Sequence, residues 1–146
     1  MLFRSALACV VDVELAGAHN YLLLDRHGRG YNVEAMPSCR TVTKLEGLPL
    51  AHTNHCLDAE AKREQTERPP VLLASSQRRL ERTHELLAGN DPITLERLMA
   101  MTRDSVAICQ RSQPPFHIES SGAAIMRPAT GELWAVWGLP SENEYE

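Results

Sequence analysis

The chain has 146 residues, of which 43% are hydrophobic and 23% charged, and its formal net charge is -4. This length and composition suit one globular domain with a core of its own. Nucleic-acid binding requires a basic surface, which the scattered basic residues of an acidic chain do not provide. A membrane partner is not expected either, because no apolar run approaches the roughly 20 residues of a bilayer span.

The chain contains four cysteines: Cys9, Cys39, Cys56 and Cys109. Their spacings match no paired zinc or redox motif. The apolar N-terminal segment is interrupted by Asp12 and Glu14 and is followed by no small-residue cleavage site, so it does not read as a signal peptide. These features predict free thiols in a reducing, cytoplasmic compartment.

The first half of the chain predicts one helix followed by strands. Apolar residues at helical spacing predict the helix over residues 3–16, and Gly17 ends it. Gly28 is free to take a positive φ in the turn of a hairpin. The predicted strands cover residues 21–24, 31–35, 41–45 and 48–53.

The second half predicts a loop, two helices and a final hairpin. Residues 58–72 are charged, contain two adjacent prolines and have no apolar period, which predicts a mobile surface loop. A helix capped by Ser75 or Ser76 and ended by residues 89–91 follows, and Thr94 caps another. An acidic, loose tail is expected after residue 140. The remaining predictions are a buried strand at 106–109, a loop at 110–119 and hairpin strands at 123–126 and 133–137.

This order of elements predicts an α+β fold with a largely antiparallel sheet, because hairpin-linked strands are segregated from the helices. Trp134 and Trp137 are separated by an odd number of positions, so they are expected on opposite faces of the last strand.

The segment His52-Thr53-Asn54-His55-Cys56 concentrates side chains that can bind a proton, a metal ion or an oxyanion. The two histidines and Cys56 could ligate zinc with a distant cysteine, although a second closely spaced pair is absent. Cys56 could act as a nucleophile, but adjacent strand residues point to opposite faces, so His55 is poorly placed to activate it. Structural roles, with the histidines bonded to backbone and Cys56 as a buried thiol, are the simpler reading.

Residues 50–57 resemble a signature of the acyl-coenzyme A:6-aminopenicillanic acid acyltransferase family, also called isopenicillin N acyltransferases. Members carry a His-Thr-Asn-His segment followed by an apolar residue or Cys. The resemblance extends in order over residues 18–145. Its other parts are residues 21–37, Ser76 with Arg79, residues 106–109 and residues 133–140.

The resemblance implies an N-terminal-nucleophile hydrolase with an αββα layered sandwich. Such enzymes cleave themselves before a Cys, whose thiol attacks the acyl group while its α-amino group, with a pKa of about 8, acts as base. Asn54 is then the catalytic residue that binds the oxyanion. Substrate-binding or supporting roles fall to His52, Thr53, His55, Glu34 and Arg79. An acyl donor such as acyl-coenzyme A and an amine acceptor are the expected partners, with no cofactor and no metal.

The chain also departs from the family pattern. None of its cysteines follows a Gly, and only 51 residues precede His52, whereas the family's cleavage site lies far upstream of this segment. We therefore expect residues 1–146 to be a single partial domain from the C-terminal part of such an enzyme, with the first strands and the nucleophile supplied by other polypeptide. The alternatives are a catalytically inactive fragment or binding module, and a small His/Cys metal-binding domain.

Overall fold

The computed structural model describes residues 2–89 and 91–146, without the side chains of residues 2–4. It contains helices and antiparallel sheets, which confirms the α+β class. The helices are α1 (Leu2–Asp12), α2 (Ala59–Glu64), α3 (Pro70–Leu87) and α4 (Leu95–Thr102). The strands are β1 (His19–Leu24), β2 (Gly30–Ala35), β3 (Arg40–Lys44), β4 (Gly122–Arg127) and β5 (Glu132–Trp137).

The chain divides into two compact units, Met1–Ser76 and Gln77–Glu146, which we describe in turn. The single partial domain over residues 1–146 stays a prediction. None of the helices in the described residues is long and apolar enough to cross a bilayer.

The first unit is built on an antiparallel sheet in the order β1-β2-β3. The predicted hairpin is confirmed: Gly28 has φ 77°, and the Asp25 carboxylate accepts the backbone N–H groups of His27 and Arg29 across the turn. The third predicted strand is confirmed as β3. Local turn chemistry therefore fixes the register of the β1–β2 pair.

The central strand β2 carries the core of the first unit. Val33 and Ala35 are fully buried, and Asn32 and Glu34, on the opposite face of the strand, are also buried. α1 packs against this strand. The helix predicted over 3–16 ends earlier, at Asp12. A carboxylate buried on the central strand is the unusual feature, since such a group needs partners.

Two predictions for the first unit are wrong. Residues 48–53 form no strand and join neither sheet. In the segment that follows, the side chains of Ser76 and Glu34, and not a neighbouring strand, bind the backbone N–H groups of Asn54 and Leu57. Within the predicted loop 58–72, residues 59–64 form α2. The Asp58 carboxylate caps this helix by accepting the N–H groups of Glu60 and Ala61, and Ala61 is fully buried.

Helix α3 begins at Pro70, so the last three residues of the predicted loop, 70–72, are helical. Proline suits the first position of a helix because its missing N–H needs no partner there. The backbone N–H groups of Leu72 and Leu73 donate to the Pro69 carbonyl. Ser75 and Ser76 therefore lie inside the helix, and the prediction that either caps it is wrong.

In the second unit the helix cap at Thr94 is confirmed, since its hydroxyl accepts the Arg97 N–H at 3.2 Å. Of the predicted stop at 89–91, Gly89 has φ 94°, and Asn90 lies outside the described residues. The strand predicted at 106–109 is wrong. The chain turns there because Asp104 accepts two backbone N–H groups. Its side-chain carboxylate accepts the Ala107 N–H at 3.0 Å, and its backbone carbonyl accepts the Cys109 N–H at 2.7 Å.

The final hairpin is confirmed as the antiparallel pair β4–β5. Ile125 and Val136 are buried on one face, whereas Trp137 on the other face is 89% exposed. Trp134 is half-buried beneath the Arg127 guanidinium. The expected loose tail is wrong, because Glu146 exchanges two backbone hydrogen bonds with Ala135 and so lies along the outer edge of β5.

The close approach of the two strands in the β4–β5 hairpin predicts that a side chain added at Gly122 will destabilise the protein. In Gly122→Ala the new Cβ lies 2.6 Å from the Val136 carbonyl oxygen, so the strands must shift. We expect a loss of about 1–3 kcal/mol in the free energy of unfolding, measured by urea denaturation. Gly17→Ala is the control, since no atom lies within 4 Å of its Cβ. Equal stability of the two variants would contradict this packing.

Candidate active site

The site is the segment His52–Asp58, which has no regular secondary structure and is held from two sides. On one side lies Glu34 of β2. Its carboxylate accepts a hydrogen bond from His52 Nε2 at 2.7 Å and from the backbone N–H groups of Leu57 and Asp58 at 2.6 and 2.7 Å. One buried side chain therefore binds both ends of the segment.

Three donors explain how the Glu34 charge is tolerated in the core. Its side chain is 4% exposed and that of His52 is 12% exposed. Hydrogen bonds to a carboxylate are stronger than those between neutral groups, and together they offset the loss of hydration. The carboxylate fixes His52 with its Nε2 directed into the core.

On the other side lies Ser76 of α3, which is fully buried. Its hydroxyl oxygen accepts the Asn54 backbone N–H at 2.9 Å and lies 2.8 Å from His55 Nδ1. Thr53 Oγ1 donates to the Ser76 backbone carbonyl at 3.0 Å. Ser76 thus tethers three consecutive residues of the segment to the helix, a role that the sequence analysis missed.

Asn54 lies between these two anchors. Its backbone N–H is bound by Ser76, whereas its side chain is exposed. Of the predicted site residues, the structure brings Glu34, His52, Thr53 and His55 together around this position. Arg79 lies on α3 in the second unit, where it is half-buried and its carbonyl accepts the Thr83 hydroxyl.

Cys56 is held within the segment through both its backbone and its sulfur. Its backbone N–H donates to Gln65 Oε1 at 2.6 Å, and its sulfur lies 3.8 Å from that of Met36. Burial and the nearby Glu34 carboxylate raise the pKa of the Cys56 thiol, so it remains protonated at neutral pH. No sequence pattern around Gln65, which follows α2, predicted its hydrogen bond to the Cys56 backbone.

The imidazole of His55 is neutral at pH 7. Partial burial, assisted by the positive field of His52 and Lys62, holds the pKa of His55 below its usual 6.5. Both histidines already use a ring nitrogen within the segment's network. Among the residues that the structure describes, no three His, Cys, Asp or Glu side chains are grouped to hold a metal ion.

Comparison with known families bears directly on this site. The model of the acyl-coenzyme A:6-aminopenicillanic acid acyl-transferase family matches residues 3–141, nearly the whole chain. The chain belongs to this family. The resemblance drawn from the His-Thr-Asn-His segment is therefore confirmed. A search of individual curated proteins gave no match.

In this acyl-transferase family member, the buried Glu34 carboxylate should make a large contribution to the stability of the fold. Glu34→Gln removes the charge and turns an N–H donor toward backbone N–H groups that need an acceptor. We expect a loss of about 2–3 kcal/mol in the free energy of unfolding. Glu46→Gln, at an exposed position, is the matched control and should change stability by less than about 0.5 kcal/mol. Urea denaturation of both variants makes the measurement, and similar small losses would refute the role of the carboxylate.

Proposed function

We propose that this chain is part of a cysteine N-terminal-nucleophile acyltransferase or amidohydrolase. The reaction transfers an acyl group from a thioester or amide to an amine or to water through an acyl-enzyme. Family membership supports the acyl-transfer class. The observation that carries the site assignment is the double anchoring of residues 52–58, which leaves the Asn54 side chain exposed on a fixed backbone.

Asn54 is the proposed oxyanion donor. A carboxamide N–H is neutral and needs no deprotonation, so it can stabilise the negative charge of a tetrahedral intermediate across a wide pH range. A preorganised donor of this kind contributes about 3–4 kcal/mol to transition-state stabilisation. Two hydrogen bonds preorganise the Asn54 carboxamide here. The Asn54 backbone N–H donates to the Ser76 hydroxyl, and His52 donates to the Glu34 carboxylate. In this proposal Thr53, Glu34 and His52 are positioning residues.

The attacking thiol is proposed to come from polypeptide outside residues 1–146. Burial raises the pKa of the Cys39 and Cys56 thiols, which opposes thiolate formation. Cys109 is buried, and its thiol donates to the Ser141 hydroxyl at 3.4 Å. Cys9 is exposed on α1. A thiol becomes an activated nucleophile where a base or a positive charge lowers its pKa. At Cys39 and Cys56 burial outweighs the nearby positive charges of Arg40, Lys62 and Arg68.

The same proposal accounts for the sheets and the substrates. The two antiparallel sheets belong to the αββα layered sandwich of N-terminal-nucleophile hydrolases, which the additional polypeptide completes. The substrates are an acyl donor, such as acyl-coenzyme A, and an amine acceptor. No cofactor takes part, since thiol, amine and amide groups supply the nucleophile, the base and the oxyanion donor.

Acyl transfer by the complete protein that carries these residues tests the proposal. Asn54→Ala should lower kcat by about 10²–10³-fold with little change in KM, because the donor acts mainly in the transition state. Asn20→Ala, at an exposed position of β1, is the matched control and should leave kcat unchanged. A folded complete protein that binds an acyl donor and transfers nothing would contradict the proposal and indicate a binding module.

A further inference from the structure

The hydrogen bonds around Ser76 are compatible with two arrangements of the hydroxyl and imidazole protons. Thr53 Oγ1 donates its proton to the Ser76 carbonyl at 3.0 Å, and Ser76 Oγ accepts the Asn54 N–H at 2.9 Å. The proton of Ser76 then has two acceptors within reach, His55 Nδ1 at 2.8 Å and Thr53 Oγ1 at 3.1 Å. Donation to His55 Nδ1 uses the shorter contact; if Ser76 donates to Thr53 instead, its oxygen can accept an Nδ1–H from His55.

Donation from the Ser76 hydroxyl to Nδ1 places the His55 proton on the other ring nitrogen, Nε2. A neutral imidazole has one donor and one acceptor nitrogen, so an accepting Nδ1 requires the proton on Nε2. No hydrogen bond within the described residues uses His55 Nε2, and it is not among their buried polar atoms without a partner. In the arrangement with the shorter contact, an accessible N–H donor therefore lies one residue from Asn54.

We propose that His55, held in its Nε2-protonated form by Ser76, is a second hydrogen-bond donor for the oxygen of the reacting acyl group, beside Asn54. This inference rests on the proposed function. Two donors converging on one oxygen stabilise an oxyanion better than one, as in other acyl-transfer sites. A neutral imidazole donates without first taking a proton from solvent. Ser76 is the positioning residue in this arrangement.

The other histidine of the segment cannot take this role. His52 Nε2 binds the buried Glu34 carboxylate, so its N–H is directed into the core and lies beside a negative charge that would repel an oxyanion. The two histidines of the motif are thereby assigned different tasks. His52 secures the segment, and His55 contacts the substrate.

The tautomer is tested on the 146-residue chain without any activity measurement. We expect ¹⁵N-imidazole NMR at pH 7.5 to show His55 protonated on Nε2. Ser76→Ala should shift His55 toward a mixture of tautomers, whereas Thr83→Ala, which removes a hydroxyl bonded within α3, should not. His55 protonated on Nδ1 in the wild-type chain would overturn the inference, and this result does not depend on any variant folding.

The donor role is tested by kinetics of the complete protein. His55→Phe should lower kcat by about 10²-fold with little change in KM, and His55→Gln, which retains an N–H donor, should recover most of that loss. His27→Phe, at an exposed turn position, is the control. Full activity of His55→Phe alongside an inactive Asn54→Ala would overturn this inference and leave the proposed function intact. Full activity of both variants would overturn the two together.

Discussion

The buried carboxylate of Glu34 is the constraint on which the rest of the site depends. A charge placed on the central strand would cost several kilocalories per mole if it were left unpaired. His52 and two backbone N–H groups satisfy it. The dependence is mutual, because those N–H groups belong to a segment without regular structure and also need an acceptor. The strand thereby holds the segment in one place.

Ser76 extends this constraint to a second element. Its hydroxyl, fully buried in α3, binds the backbone of Asn54 and the ring of His55. A segment that is hydrogen-bonded to both a strand and a helix can present an exposed carboxamide while its backbone reorganises little. Preorganisation of this kind distinguishes an oxyanion donor from an ordinary surface amide. The acyl-transfer role proposed for Asn54 rests on how this segment is held.

The sequence predicted those elements whose hydrogen bonds are local. Turn residues and the alternation of apolar and polar side chains predicted the β1–β2 and β4–β5 hairpins. The Thr94 cap was predictable because its hydroxyl binds a backbone N–H only three positions away. The way residues 52–58 are held could not be predicted, because the deciding contacts join residues 22–24 positions apart. The cap prediction for Ser76 failed for a local reason, since the helix already begins at Pro70. Composition located the candidate site at residues 52–56, but a buried serine inside a helix gives no local sign that it binds a distant backbone.

Amide hydrogen exchange of residues 52–58 tests the central claim most directly. If Glu34 and Ser76 hold this segment, the N–H groups of Asn54, Leu57 and Asp58 should exchange as slowly as those of β2, although they belong to no helix or strand. The exposed residues after β3, such as Glu46, should exchange rapidly. Exchange of Asn54, Leu57 and Asp58 at the rate of Glu46 would show that the segment is not held, and would contradict the account.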